Sequence, residues 1–131
     1  MPKWRFTWDD KKRALNVQKH RVDFPRATEI WDDPRRQERI DHRTYFGRDG
    51  EQEIRWQSIG AVSAPPQEGT PLHKVIGKVR DVLFVAYTYP DDQTDEYDDP
   101  DVIVVHIISA RIADGDECLQ YELGRFSETN E

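Results

Sequence analysis

The sequence predicts an α+β domain in which helices pack on a mainly antiparallel β-sheet of three to five strands. Several segments in the second half of the chain are rich in β-branched and aromatic residues, and the short turns between them favour antiparallel pairing. Helical patterns precede and follow these segments instead of alternating with them, which is typical of an α+β arrangement. The length of 131 residues suits a single domain that spans residues 1–131.

The N-terminal part predicts a short strand followed by a first helix. Arg5–Trp8 is short and aromatic-rich, as a brief strand would be. Asp9 or Asp10 caps the next helix, which runs to about His20, because a carboxylate accepts hydrogen bonds from the unpaired N–H groups of a first turn. A polar, mostly basic stripe follows this helix at intervals of four residues and predicts a surface position: Lys12, Asn16 and His20.

A second helix and the strands of the sheet come next. Asp23 is a capping residue and Pro25 suits a first turn, so a helix begins here and ends before Pro34. Four strand-like segments follow, the third as one long strand or a bent pair: Arg35–Tyr45, Glu53–Ala61, Val75–Tyr89 and Val102–Ala110. The last of them is almost entirely β-branched, as a strand inside a sheet would be. The chain closes with a helix over Ile112–Gly124 and a frayed tail over residues 125–131.

Composition excludes several classes of protein. No apolar run approaches the roughly 18 residues that a membrane-spanning helix needs, and the N-terminus lacks the apolar segment of a secretion signal. One cysteine, Cys118, excludes a disulfide framework and a cysteine-rich zinc site, so we expect a reducing, cytoplasmic setting. The acidic segment Asp91–Asp101 lacks the regular oxygen spacing of a calcium loop, and we predict neither a bound metal nor a cofactor.

The net charge of −7 is unevenly distributed along the chain. Residues 1–48 carry 13 basic and 8 acidic side chains, whereas residues 49–131 carry 6 basic and 18 acidic ones. Asp91–Asp101 alone contains seven acidic residues and no basic one. The overall charge argues against a generally basic nucleic-acid binder, but the basic N-terminal part leaves one region that suits a polyanion.

Six short segments, in this order, resemble those of a known family: Phe6–Asp9, Lys19–Phe24, Trp31–Pro34, Glu53–Trp56, Leu83–Thr88 and Ile107–Arg111. The family is the BrnT toxins of bacterial type II toxin–antitoxin pairs, which have a RelE-like ribonuclease fold. Two positions depart from its pattern, since Arg21 stands where the family has glycine and His106 stands where it has arginine. Residues 62–74 and 90–101 look like insertions in connections that the family keeps short.

The resemblance implies a toxin that is a metal-independent endoribonuclease and acts on single-stranded or loop RNA. Such a toxin is neutralised by a cognate BrnA-like antitoxin of the ribbon-helix-helix type. It contacts DNA only indirectly, through the toxin–antitoxin complex, and no membrane is involved. A second interpretation stays open, in which the chain is a non-catalytic binding module on the same fold that has lost ribonuclease activity and acts through protein partners. The acidic segment and His106 motivate this alternative.

Cleavage of RNA without a metal needs a base, a cation for the phosphorane and an acid. Arginine suits the second role because its planar fork pairs with phosphate oxygens and keeps its charge. The resemblance points to Arg111 and Arg55 as these cations. It points to His20, with Lys19 beside it, as the source of acid/base catalysis or of phosphate contacts.

Structural interpretations of the same side chains remain open. Arg111 can form a surface ion pair with Glu117 or Asp114, and Arg55 can form a pair across strands. The Lys-His pair lies at a helix end, where a cation complements the partial negative charge of the helix C-terminus. The sequence alone does not choose between these roles and the catalytic ones.

Tyr121 and His106 are the remaining candidates. Tyr121 follows Glu117 by one helical turn, and it either packs its helix on the sheet or stacks on a base and donates a proton. His106 lies in a strongly apolar strand, which favours a buried, hydrogen-bonded side chain. In a regular strand His106 and Arg111 point to opposite faces, so they share a site only where a bulge or a strand end intervenes.

Overall fold

The computed structural model describes residues 3–47, 49–63, 80–90 and 99–128. Its strands and helices follow the predicted order: β1 (Lys3–Thr7), α1 (Asp10–His20), α2 (Phe24–Ala27), β2 (Gln37–Phe46), β3 (Gln52–Ser63), β4 (Arg80–Thr88), β5 (Val102–Ile112) and α3 (Gly115–Leu123). One 3₁₀ turn, Thr28–Asp32, follows α2, and another, Phe126–Glu128, follows α3. The predicted α+β class is confirmed.

Within the described ranges, five strands form one sheet in the order β1-β5-β4-β3-β2. Strands β2 to β5 pair antiparallel, as predicted, whereas β1 runs parallel to β5 with Thr7 opposite His106. The whole of the remaining sheet lies between these two strands in the chain, so no tight turn imposes an antiparallel direction on them. β5 therefore lies inside the sheet, as its β-branched composition predicts.

One face of the sheet, here called the core face, packs against α2 and the 3₁₀ turn that follows it. The largest fully buried side chains of this cluster are Phe24, Ile30, Leu83, Val85, Tyr87, Val105 and Ile107. Gly60 on β3 lets the 3₁₀ turn approach closely, because a Cβ atom at this position would lie 2.7 Å from the Cβ of Ile30. The predicted apolar side of the second helix thus packs on the sheet.

A smaller apolar cluster lies on the opposite face, where α3 and the turn after it cover one end of the sheet. Phe84 of β4 packs there against Tyr121 and Phe126. The prediction of a frayed tail from residue 125 is wrong for Phe126–Glu128, because the Phe126 ring is fully buried. Residues 129–131 lie outside the described ranges.

Both ends of α3 follow local sequence rules. Asp114 and Glu117 form a capping box at its start, and Gly124 ends it in the left-handed conformation with φ of 67°. The predicted start at Ile112 is too early, because Ile112 still belongs to β5 and pairs with Leu83. Helices of the described part of the chain are too short or too polar to cross a membrane.

Several sequence predictions fall on residues that the structure does not describe. They include most of the two proposed insertions, residues 62–74 and 90–101, and therefore most of the acidic segment. The first five residues of the predicted third strand, 75–79, also lie outside the described ranges.

Asn16 joins α1 to the sheet beyond the point where β1 stops pairing with β5. β1 ends at Thr7, opposite His106, while β5 continues. Beyond that point Asn16 replaces a strand, because its Nδ2 donates to Ala110 O at 2.8 Å and its Oδ1 accepts from Ala110 N at 3.1 Å. Nδ2 also donates to Val22 O at 2.8 Å. The predicted surface stripe is thus wrong at its middle, since Asn16 is only 6% exposed.

Replacing Asn16 with alanine should destabilise the fold without changing any charge. The change leaves the N–H and C=O groups of Ala110 and the carbonyl of Val22 without their partner. Each buried, unpaired polar group costs about 1–3 kcal/mol, so we expect a loss of about 2–4 kcal/mol in the free energy of unfolding, measured by urea denaturation. Gln18→Ala, on the exposed side of the same helix, is the matched control and should be nearly neutral. A neutral Asn16→Ala would contradict the role given to this side chain.

Candidate functional site

Arg55, His106 and Arg111 lie on the same face of the sheet, here called the open face. Thr88 of β4 pairs with His106, and Phe84, four residues earlier on the same strand, pairs with Arg111. The sequence allowed a shared face only where a bulge intervenes, and such a bulge is present: the register shifts between Ala86 and Tyr87 of β4, which leaves one extra residue in β5. A bulge therefore reverses the alternation between the two side chains.

The stripe on α1 forms one border of the open face. Lys12 shares a cleft with His106, Asn16 binds the backbone of Ala110, and His20 lies within electrostatic reach of Arg111. The helix therefore runs along β5 and places one basic or titratable side chain beside each end of the face. Eight residues of helix separate the two ends, which corresponds to about 12 Å along the helix axis.

A cleft of about 410 Å³ opens at the first of these two ends. It is lined by Trp8, Asp9, Lys12, Phe46, Gly47, Glu53, Arg55, Thr88, His106 and Ile108. Its four charged side chains come from α1 and its cap on one side and from β3 on the other. Lys12 makes no ion pair with any described residue, so its ammonium group is available to a bound anion.

Arg55 is held in place in this cleft by two contacts. Its Nε donates to Glu53 Oε1 at 2.8 Å, and its guanidinium lies 3.9 Å from the ring centroid of Tyr45. The structural alternative for this arginine was an ion pair across strands, whereas its partner Glu53 lies two residues away on the same strand. Stacking fixes the plane of the guanidinium and leaves its edge directed toward other acceptors.

His106 is neither exposed nor fully buried. Its Nδ1 lies 2.8 Å from Thr7 Oγ1 on β1, so a hydrogen bond fixes the orientation of the ring. Burial lowers the pKa of His106 below its ordinary value, and the charge of Lys12 lowers it further, while Glu53 and Asp9 act in the opposite direction. The imidazole is therefore mainly neutral at pH 7 and can accept a proton.

Arg111 forms a bidentate ion pair at the other end of the open face. Its two Nη atoms donate to Glu117 at 2.7 and 2.8 Å, and its guanidinium lies 4.2 Å from the ring centroid of Phe84. Glu117 is buried and also accepts the N–H of Asp114 in the capping box. The ion pair named as the structural alternative is therefore present, and it ties β5 to α3.

His20 and Lys19 end α1 close to Arg111. Lys19 is exposed, and both side chains also complement the C-terminus of the helix. Partial burial lowers the pKa of His20, and the positive charges of Lys19 and Arg111 lower it further. The structure thus brings three predicted site residues together at this end, while Arg55 lies in the cleft at the other end.

Tyr121 lies on the side of α3 that faces the sheet and is only 3% exposed. Its hydroxyl donates to Asp33 Oδ2 at 2.6 Å, and the same carboxylate oxygen accepts the N–H of Ala61 on β3. The side chain therefore packs the last helix on the sheet, as the structural alternative for this residue predicts.

Sequence reasoning missed Lys12 and Thr7 as members of the site and treated His106 as structural. Lys12 belongs to the basic stripe that the sequence predicts on α1, but the sequence contains no sign that this stripe borders the sheet. Thr7 gave no signal, since its contact with His106 joins residues 99 positions apart. In the described ranges, no group of three or more His, Cys, Asp or Glu side chains is placed to hold a metal ion.

Comparison with known proteins gives one informative match. Residues 8–66 match a family model described as the ribonuclease toxin BrnT of type II toxin–antitoxin systems. The match covers a little under half of the chain, begins just after β1, and includes all of α1, α2, β2 and β3. No curated protein matches the sequence significantly.

The two histidines predict that stability falls when the pH is lowered from 7 toward 5. Because the folded pKa values of His20 and His106 lie below the ordinary value of about 6.5, the unfolded chain binds more protons in this range. Their contribution is therefore present above pH about 6.5 and is lost as the pH falls toward the folded pKa values. Urea unfolding at pH 5, 6 and 7 measures the slope.

The double variant His20→Gln/His106→Gln is the control and should show a smaller slope over the same range. The stabilisation from paired carboxylates such as Asp23 and Asp41, whose pKa values are lowered by Arg13 and Arg43, is present above pH about 4 and is lost only below it, so it adds little to the slope between pH 5 and 7. An unchanged slope in the double variant would contradict the histidine assignment.

Proposed function

We propose that the chain is a ribonuclease toxin of the BrnT family of type II toxin–antitoxin systems, and the similarity of residues 8–66 to the family model supports this. A toxin of this family has RNA as its target and a protein antitoxin as its partner. Beyond this, we propose that it cleaves RNA without a metal ion, through attack of a ribose 2′-hydroxyl on the adjacent phosphorus. The reaction takes place in the cleft of the open face.

The observation that carries this proposal is the combination of groups around the cleft. Arg55 and Lys12 bring positive charge from two different elements, and a mainly neutral imidazole lies beside them. A phosphodiester that enters the cleft therefore meets cations for its developing charge and a group able to accept a proton. Stacking on Tyr45 keeps the Arg55 guanidinium in one plane, which suits it to contact two phosphate oxygens at once.

The second end of the open face is proposed to hold a neighbouring phosphate of the same strand. Arg111 and Lys19 are cations there, and His20 lies beside them. Since the two ends are about 12 Å apart along α1, they cannot act on one phosphorus atom but can bind one strand at two places. Tyr121 supports this end indirectly, because it anchors α3, which carries the Glu117 partner of Arg111.

Carboxylates on the open face compete with RNA for its arginines. Glu53 holds Arg55 and Glu117 holds Arg111, so each guanidinium must share its N–H groups between a carboxylate and a phosphate. Each arginine has five N–H donors; the ion pair uses one of them in Arg55 and two in Arg111, whose Nη1 also donates to Ile112 O at 3.4 Å, so a phosphate shares these groups with the acceptors already present. We expect binding of RNA to be weak and strongly dependent on salt.

The pairing of these arginines with carboxylates also favours a second candidate function, a binding module without ribonuclease activity. On the described part of the open face and its β2 border, three arginines are paired with carboxylates: Arg43, Arg55 and Arg111. Charge pairs of this kind hold a surface rigid and suit a protein partner with alternating charges as well as a polyanion.

Substitution of the two arginines separates these functions. With purified protein, bulk RNA and excess EDTA, we expect Arg55→Ala to lower the cleavage rate by about 100-fold or more, because it removes a cation beside the reacting phosphate. Arg111→Ala should lower the rate less, about 10-fold, and mainly by weakening RNA binding. Arg125→Ala, an exposed arginine outside the cleft, is the matched control and should cleave normally.

Two results would contradict the ribonuclease mechanism. The first is intact RNA after incubation with the wild-type protein beside an active control enzyme. The second is toxicity in growing cells that survives the double change Arg55→Ala/Arg111→Ala, since a toxin with the proposed site would lose its effect.

The proposed partner is a BrnA-like antitoxin of the ribbon-helix-helix type, through which the complex binds DNA, and the proposed location is the cytoplasm. We expect the neighbouring reading frame to encode a short protein of this type. Co-expression of the two chains should restore growth and yield a complex on size-exclusion chromatography. Growth inhibition that persists beside a well-expressed neighbouring product would exclude that product as the antitoxin.

A further inference from the structure

We infer that His106 is the catalytic base that takes the proton from the attacking 2′-hydroxyl, with Thr7 as the residue that positions its ring. This inference rests on the proposed ribonuclease function and adds a residue to it. It also concerns a position where the sequence departs from the family pattern that it otherwise resembles, since histidine stands there in place of arginine.

The geometry around His106 supports proton transfer. The side chain lines the cleft together with Lys12 and Arg55, the two cations proposed to meet the phosphate. The bulge in β5 is what turns it to the open face, so its presence in the cleft depends on this chain's own register. A base must lie within hydrogen-bond reach of the proton that it removes, and a nucleotide in a cleft of this size lies against its walls.

Thr7 occupies Nδ1 of His106 and leaves Nε2 for the cleft. When the protonated Nδ1 donates to Thr7 Oγ1 at 2.8 Å, the lone pair is on Nε2, the nitrogen that remains for the cleft. An imidazole fixed in this tautomer is ready to accept a proton without reorienting. Thr7 thus plays the part that a hydrogen-bond acceptor plays behind the histidine in many enzymes.

Burial is the main reason that His106 is neutral before the reaction, and the charges that face it act in both directions: the pKa is lowered by Lys12 and raised by Glu53 and Asp9. From α1 and its cap come Lys12 and Asp9, and from β3 come Arg55 and Glu53. The two carboxylates are engaged elsewhere, because Asp9 accepts the backbone N–H groups that begin α1 and Glu53 accepts from Arg55. Burial and Lys12 together lower the pKa of His106, so the unprotonated form predominates at neutral pH.

In the proposed step, proton transfer to His106 accompanies the exchange of one bond to phosphorus for another. Nε2 of His106 takes the proton of the 2′-hydroxyl, the 2′-oxygen forms a bond to phosphorus, and the bond from phosphorus to the 5′-oxygen breaks. The departing 5′-oxygen takes a proton from water, and the imidazolium later releases its proton to water. The products are a 2′,3′-cyclic phosphate on one fragment and a 5′-hydroxyl on the other.

His20 is the competing candidate for the same task. It lies beside Arg111, about 12 Å from the cleft along α1, and so cannot reach a phosphate held between Lys12 and Arg55. The two histidines therefore have separable effects. Loss of His106 should slow the chemical step, whereas loss of His20 should weaken RNA binding.

The test compares His106→Ala with His20→Ala in steady-state cleavage of a fluorescent single-stranded oligoribonucleotide over pH 5 to 9. We expect His106→Ala to lower kcat by about 100-fold or more and to remove the acidic limb of the kcat profile. Free imidazole should restore part of the rate to this variant. His20→Ala should raise KM and leave the profile unchanged, and wild-type products should carry 2′,3′-cyclic phosphate ends.

Thr7→Val tests the positioning role, since it keeps the shape of the side chain and removes the hydrogen-bond acceptor. We expect a lower kcat, an unchanged KM and a shifted acidic limb. A merely structural threonine would leave the position of that limb unchanged. Circular dichroism of each variant identifies any that fail to fold, and His106→Gln then replaces His106→Ala.

The outcomes distinguish this inference from the function on which it rests. A wild-type protein without activity in EDTA overturns the ribonuclease mechanism as a whole. An active wild type with a normal pH profile in His106→Ala and His106→Gln overturns only the role of His106. An equal or higher rate in His106→Arg, which returns the arginine of the family, would show that this position needs a cation and would also overturn it.

Discussion

The hydrogen bonds between the Asn16 side chain and the backbone of Ala110 are the constraint on which the arrangement of the open face depends. They replace the strand pairing that β5 loses where β1 ends, and they hold α1 along the sheet instead of across it. With α1 in this position, Lys12 meets His106 at one end of the face and His20 meets Arg111 at the other. A single buried amide thus sets the spacing of the two ends.

Balanced charge is the second property of this face. Its arginines are rigid because aromatic rings and carboxylates hold them, and its histidines are mainly neutral because burial and nearby cations disfavour their protonated forms. A surface of this kind does not attract polyanions strongly over long distances. Under the proposed function, recognition then depends on the fit of an RNA strand into the cleft.

Local signals predicted most of the fold. Asp9 and Asp23 cap the two helices they were expected to cap, Gly124 ends α3, and the β-branched segment is an interior strand. These features succeed because capping, turn geometry and strand composition depend on neighbours in sequence. The parallel direction of β1 and the burial of Asn16 were not predicted, because both depend on contacts between residues more than 90 positions apart.

The sequence by itself determined the α+β class and the order of elements, and its resemblance to the BrnT family predicted Arg55 and Arg111 as cations of interest. Only the tertiary structure decided which of the candidates share a site. One extra residue in β5 brings His106 and Arg111 to the same face, and no local pattern marks that bulge, because it arises from the register of two strands. Composition and residue spacing specify the individual helices and strands, whereas the functional site depends on which of their faces pack next to one another in the fold.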